Sequence, residues 1–240
     1  MIGLHFLISI FLGRRRQVLT GLIISGSLIL GTAKASPLPT DMTRGEVAQR
    51  LQDWRSLVAQ SIQLSDAEKL KAVNAFFNRQ IRYGEDTEVW RQVDYWASPR
   101  ETLELGAGDC EDFALAKYFT LRLLGISEQR LRLVYSTLIS TQQAHMVLGY
   151  WADDGEDLVL LDNLRSEALL ITQRPDLQVQ FAFDTDHLYR FDQSSLVAVG
   201  DAHLLPGWQA LKAKVRQESL PLFSTVQLVV AEQLHLKREI

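Results

Sequence analysis

The sequence predicts an α+β domain in which helices come first and an antiparallel sheet follows. Up to Leu124 the apolar residues recur at intervals of three and four, the period of an amphipathic helix. From Leu131 onward they gather into short runs separated by turn residues, the pattern of strands. Within the helical part, a Gly106-Ala107-Gly108 break precedes the one cysteine of the chain, Cys110.

The helices follow in order. Thr43 to Gln60 places Val47, Leu51, Trp54 and Val58 on one face. Ser65, with Glu68 three residues on, is a capping box, and Leu70, Val73, Phe77 and Ile81 form the buried side of the helix it starts. Glu85 to Trp96, polar and aromatic, is compatible with a short helix. Ser98-Pro99-Arg100-Glu101 repeats the capping pattern with proline at the first helical position. After the glycine break, Asp109 stands where an N-cap belongs, and Cys110 to Leu124 reads as a helix that stops at Gly125.

Strands are expected at Leu131 to Ser136, Ala144 to Trp151, Leu158 to Asp162 and Ala168 to Thr172, as an antiparallel meander with Asp153-Asp154-Gly155 as turn material. A further pair is expected at Gln180 to Phe183 and Leu188 to Phe191, and a helix over Trp208 to Glu218. No internal repeat or second domain is visible.

The N-terminal stretch is of a different kind. Arg14, Arg15 and Arg16 precede an apolar run from Val18 to Leu30 that ends in Ala33-Lys34-Ala35, the layout of a secretory signal peptide. The run is shorter than the roughly 20 apolar residues needed to span a bilayer, and Gly21, Gly26 and Gly31 dilute it. Residues 1–35 are therefore expected to be a signal peptide and 36–240 a single domain, with Ser36 to Thr40 as an extended lead-in. Removing residues 1–35 takes away four cations and no acid, moving the formal net charge from −4 to −8. So acidic a chain is not expected to bind nucleic acid, which rests on clustered cations.

A single cysteine forms no intramolecular disulfide, and in an oxidising compartment a lone thiol is either a small buried hydrophobe or a nucleophile. At the first turn of a helix, Cys110 faces unpaired N–H groups and the positive end of the macrodipole, both of which favour thiolate. His145, inside the apolar run Ala144-His145-Met146-Val147-Leu148, is a candidate base if that strand packs beside the cysteine helix; strand histidines are also commonly structural. Asp162 ends the next strand, where it could orient His145 or simply open a turn.

Asp109, Glu111 and Asp112 surround the thiol with three carboxylates. Acids stabilise a helix N-terminus by themselves, but three so close to Cys110 also oppose thiolate formation. A divalent cation would remove that conflict, and an all-oxygen donor set suits calcium better than zinc or copper.

Taken in order, Gly106-Ala107-Gly108-Asp109-Cys110-Glu111-Asp112-Phe113-Ala114, Ala144-His145-Met146-Val147-Leu148 and Leu161-Asp162-Asn163-Leu164, with Tyr95-Trp96-Ala97-Ser98-Pro99 upstream, the sequence resembles the LapG-type bacterial transglutaminase-like cysteine proteinases. The resemblance covers roughly Leu64 to Leu188. It implies a papain-like or transglutaminase-like core, a catalytic triad of Cys110, His145 and Asp162, and calcium (Ca2+) bound by Asp109, Glu111 and Asp112. It also implies a periplasmic protease that cuts the N-terminal region of a large surface adhesin at a di-alanine site and so disperses biofilm. An inner-membrane cyclic-di-GMP receptor of the LapD type would sequester it. The same triad would serve acyl transfer to an amine, as in true transglutaminases, and a non-catalytic binding module on this fold would be expected to lack a triad member. Trp90 and Trp96 are open between pocket walls and core, and Phe113 stands where many relatives carry tyrosine.

Overall fold

The computed structural model describes residues 43–152, 158–192 and 195–218. The expected signal peptide, the lead-in, the turn at Asp153 to Gly155 and the tail from Leu220 to Ile240 lie outside the described residues. Helices α1 (Arg44–Ser61) and α2 (Asp66–Gln80) both start on capping boxes, Thr43 with Glu46 and Ser65 with Glu68. In each, the hydroxyl oxygen accepts the N–H three residues on and the glutamate accepts the cap N–H, so two orphan donors are satisfied at once. Trp54 and Val58 of α1 and Leu70, Val73 and Phe77 of α2 are buried as their spacing predicts, whereas Val47 and Leu51 are only partly covered.

The segment between α2 and the cysteine departs most from expectation. Strand β1 (Arg82–Tyr83) pairs in parallel with β2 (Ala107–Gly108), through Arg82 N–H to the Gly106 carbonyl and Gly84 N–H to the Gly108 carbonyl, both at 3.0 Å. Between them the expected helix over Glu85 to Trp96 shrinks to one turn, α3 (Asp86–Val89). Arg91 and Asp94 then take left-handed φ values of 57° and 56°, and the Asp86 carboxylate accepts the Tyr95 N–H, folding the chain back on itself. Helix α4 (Pro99–Leu105) begins on the expected Ser98–Glu101 box and ends at Gly106, whose φ is 66°. A Cβ at Gly106 would be strained by that φ and would lie 2.5 Å from the Arg50 guanidinium carbon. Helix α5 (Cys110–Leu123) follows β2 directly.

The sheet contains β3 (Leu131–Leu138), β4 (Ala144–Tyr150), β5 (Val159–Leu161), β6 (Leu169–Leu170), β7 (Leu177–Phe183), β8 (His187–Asp192) and β9 (Ser195–Asp201). Their order is β6-β5-β4-β3-β7-β8-β9, every neighbour antiparallel. Only β3 to β6 form the meander expected. Strand β7 crosses back to the other edge of β3, and β8 and the unanticipated β9 extend the sheet outward. One face packs against the helices, with α5 on β3 and β4 and in turn against α2 and α4. Met146, Leu148 and Leu161 belong to that core, whereas Val147 and Leu160 lie in a smaller cluster with Val134 and Leu158, as the period-2 alternation of strands requires. Residues 206–218 are helical, and Trp208 anchors them among Tyr118, Phe119 and Phe183 at ring-centroid distances of 5.7, 6.0 and 5.7 Å.

One core residue opposes stability. Lys117 is 0 % exposed on α5, its Nζ has no hydrogen-bond partner among the described residues, and it lies 5.6 Å from the Phe113 ring centroid. Burial lowers its pKa to about 7 despite the pull of the Asp162 charge. Between there and its unfolded value of about 10.5, the unfolded chain holds more protons than the folded one, so this group makes stability rise with pH across that window. Lys117→Met is expected to raise Tm at neutral pH, by about 2–4 °C for each kcal/mol recovered. Thermal melts at pH 6.5 and 9.5 check this: the advantage of the variant should shrink at the higher pH, and a variant less stable at both would refute it.

Candidate active site

The start of α5 is held from below by Asp112. This side chain is fully buried, and its two oxygens accept from the Ala97 N–H and the Trp90 Nε1–H, each at 2.9 Å. Gly108 makes room for it, since a Cβ there would lie 2.5 Å from Asp112 Oδ2. Burial pushes the Asp112 carboxyl up to about 8 against those two donors. Asp112, expected among the metal ligands, here fastens the 90–97 loop to the helix. Trp90 is its partner, and Trp96 stacks on Phe183 at 5.9 Å in the core; neither lines the cavity described below.

Cys110 sits at the first position of α5. Its Sγ donates to Glu111 Oε2 at 3.1 Å and accepts the Met146 N–H at 3.4 Å. That second contact locks the helix start onto β4, beside His145. The His145 ring, 4 % exposed, places Nε2 2.8 Å from Asp162 Oδ1, so Nδ1 is the nitrogen left for chemistry. Asp162, also buried, accepts in addition the Leu164 N–H at 2.9 Å and Arg174 Nη1–H at 2.7 Å. Burial pushes the Asp162 carboxyl upward, but the His145 hydrogen bond and charge, the Leu164 amide and Arg174 outweigh it and hold it at about 2. The structure therefore places the thiol and the imidazole on one cavity, with a carboxylate of lowered pKa behind the ring.

Arg174 was not anticipated. It is 2 % exposed and spans two carboxylates, Asp162 and Asp176, the latter through Nε and Nη2 at 2.9 and 2.8 Å. Its only signal in the sequence is an arginine next to Pro175 in a turn, which nothing distinguishes from a surface residue.

The acidic residues divide differently from the expectation. Asp86, Asp109 and Glu111 offer oxygens that all lie within 4.8 Å of one another. Asp86 Oδ1 and Asp109 Oδ1 are buried with no hydrogen-bond partner, and Asp109, although at the cap position, makes no cap hydrogen bond. Burial first, then the charges of Glu111, Asp112 and Asp86, push the Asp109 carboxyl up to about 11. Burial raises Asp86 to about 6, opposed by its bond from Tyr95. The same burial and the charges of Glu111 and Asp109 push the Cys110 thiol well above its usual range. Two orphaned buried oxygens in an all-carboxylate set are the donor arrangement a calcium ion takes, so the residues present fit that ion. Asp86 was missed because it is 23 residues from Asp109 in sequence and is delivered by the β1–β2 pairing, which no local pattern announces.

Above these groups opens a cavity of about 500 Å³, floored by Cys110 and His145 and walled in part by Tyr83, Val93, Leu138 and Leu164. Tyr83, Val93 and Leu164 are among the exposed large apolar side chains, so the cavity offers an incoming chain apolar surface beside the polar Glu85, Thr87 and Gln143.

Comparison with known proteins bears on this arrangement. Residues 48–182 match the family model of bacterial transglutaminase-like cysteine proteinases, BTLCP. A comparison with curated protein sequences returned no match. Among solved structures, LapG of Legionella pneumophila in an EGTA-treated form is similar at 34 % identity and TM-score 0.65, over 72 % of this chain and 91 % of that one. Its calcium-bound form is similar at 33 % identity and TM-score 0.64, over 72 % and 93 %. The family match spans more than half the chain, including α5, β3, β4 and β5, the elements that carry Cys110, His145 and Asp162. The chain belongs to the bacterial transglutaminase-like cysteine proteinases, as a protease of the LapG type.

Proposed function

We propose that Cys110, His145 and Asp162 are the catalytic triad of a periplasmic, calcium-dependent endoprotease that cuts the N-terminal region of a large surface adhesin at a di-alanine site. Release of the adhesin would disperse biofilm, and an inner-membrane cyclic-di-GMP receptor of the LapD type would hold the protease in check. The observation that carries the catalytic part is the relay from Arg174 through Asp162 to His145, beside a thiol at a helix N-terminus. His145 Nδ1 takes the Cys110 proton as sulfur attacks the scissile carbonyl, then returns it to the leaving amine; water hydrolyses the thioester with His145 as base. Asp162, kept ionised, fixes the ring and stabilises the imidazolium. Calcium held by Asp86, Asp109 and Glu111 would supply positive charge that offsets the carboxylates around the thiol.

Support for export comes from the Arg14–Ala35 pattern, and no helix among the described residues is long and apolar enough to cross a membrane. The test is incubation of purified protein with the N-terminal region of a large adhesin from the same genome, in calcium or in chelator. A single cut between two alanines, made in calcium and stopped by chelator, is expected. Cleavage undiminished by chelator would remove the metal from this reading, and an amine-linked product in place of a cut would make the enzyme an acyl transferase.

A further inference from the structure

The mechanism above leaves the carbonyl oxygen of the scissile peptide with one evident donor, the backbone N–H of Cys110 at the open end of α5. The wall of the cavity offers a second. We propose that the Tyr135 hydroxyl donates a hydrogen bond to the scissile carbonyl oxygen as it becomes an oxyanion, an inference that rests on Cys110 being the nucleophile.

The placement comes from the sheet. Tyr135 on β3 is the direct partner of Met146 on β4, and Met146 is the residue whose N–H bonds Cys110 Sγ. Tyr135 lines the same cavity as Cys110 and His145, on the strand opposite to the one that carries Asp162: β3 and β5 flank β4 on its two sides. The orienting carboxylate and the phenol thus come from strands on opposite sides of β4. Tyr135 is 3 % exposed, and its ring stacks on Phe181 at 5.0 Å with 27° between planes, which fixes its direction. Its hydroxyl is not among the buried unpartnered polar atoms of the described residues and the residue lines the cavity, so the phenol is placed to meet a ligand there. Tyr83, the other tyrosine on the cavity, is 48 % exposed and already donates to Glu85 Oε1 at 2.6 Å. Burial, then the nearby charges of Cys110 and Glu111, raise the Tyr135 phenol above its usual range, so it remains a protonated donor throughout.

In the step itself, sulfur forms a bond to the carbonyl carbon and the π pair moves onto oxygen. Tyr135 shares its proton with that oxygen without transferring it. When the pair returns, the C–N bond breaks and the amine leaves with the proton carried by His145. A donor aimed at the oxyanion acts on the transition state more than on the bound substrate, so its loss should fall on kcat.

The experiment compares wild type, Tyr135→Phe and Cys110→Ala in calcium, with the adhesin N-terminal region as substrate. It also measures inhibition by a peptide aldehyde matching the residues before the cut, whose oxygen takes the oxyanion position once sulfur has added. Tyr135→Phe is expected to lower kcat by about 10²–10³ with KM within about threefold. Aldehyde affinity should fall by a similar factor, and the rate at which iodoacetamide alkylates Cys110, a reaction with no oxyanion, should change by less than about twofold. A kcat within threefold of wild type overturns the inference, as does a rise in KM alone. An alkylation rate that falls in step with kcat also overturns it, because the tyrosine would then be acting on the thiol. If Cys110→Ala remains active, the nucleophile itself is wrong, an outcome distinct from any of these.

Discussion

Cys110→Ala is expected to reduce cleavage to background, a loss of about 10⁶ in kcat if the triad works as a unit. The protein should nevertheless fold, because the thiol contributes only two weak sulfur contacts, to Glu111 and Met146, and sits among the carboxylates of Glu111 and Asp109. Its Tm should match or exceed that of wild type. His145→Ala should cost about as much as Cys110→Ala, and the double variant little more, since neither group has a function without the other. Asp162→Asn separates orientation from chemistry. It leaves the shape intact but presents the wrong partner to His145 Nε2, with an expected loss of about 10⁴. It also strips Arg174 of its buried carboxylate and leaves it only the partly exposed Asp176, so this variant should melt measurably lower. A Cys110→Ala protein that keeps a hundredth of wild-type activity would exclude the thiol as nucleophile.

What could be read from the chain and what could not divide along the range of the interactions. Ser65 with Glu68 and Ser98 with Glu101 announced their helices because a capping box is complete within four residues. Cys110, His145 and Asp162 were legible as candidates because each sits at a recognisable place in a local element: a helix start, an apolar strand, a strand end. Their meeting was not, because it depends on Met146 fastening α5 to β4 and on β4 pairing with β5. Asp109 shows how one location can suggest two roles, cap and metal ligand, that the local sequence does not separate. It occupies the cap position but makes no cap bond, and its carboxylate turns toward Asp86 and Glu111. Asp112 shows the reverse, a residue in the right motif whose oxygens are taken by Trp90 and Ala97. A two-residue strand such as β1 or β2 has no period to detect, and β7 returning to β3 is a choice among edges that its own sequence does not record.

That division sets up the second large effect. With Asp86, Asp109 and Glu111 as ligands, calcium is expected to bind the folded chain and not the unfolded one, and to stabilise it by RT ln(1 + [L]/Kd), about 2.7 kcal/mol at a hundredfold excess over Kd. For a domain of this size that is a rise in Tm of about 5–11 °C. Magnesium, which demands octahedral geometry at shorter distances, should give much less from the same crowded carboxylates. Asp86→Ala and Asp109→Ala are each expected to abolish the calcium-dependent rise. In the absence of calcium Asp109→Ala should be no less stable than wild type, because it removes a buried carboxylate with an unpartnered oxygen, whereas Asp86→Ala should melt somewhat lower because the Tyr95 N–H loses its acceptor. Asp112→Ala should behave in the opposite way, melting lower with or without calcium because Trp90 and Ala97 lose their acceptor, while keeping most of the calcium-dependent rise. A calcium shift that survives Asp86→Ala but vanishes in a folded Asp112→Ala would return the site to the three acids that flank the thiol in sequence. The melts need no substrate, so they test the metal site independently of the protease, and they locate the source of any chelator effect on cleavage in the carboxylates that the β1–β2 pairing draws together.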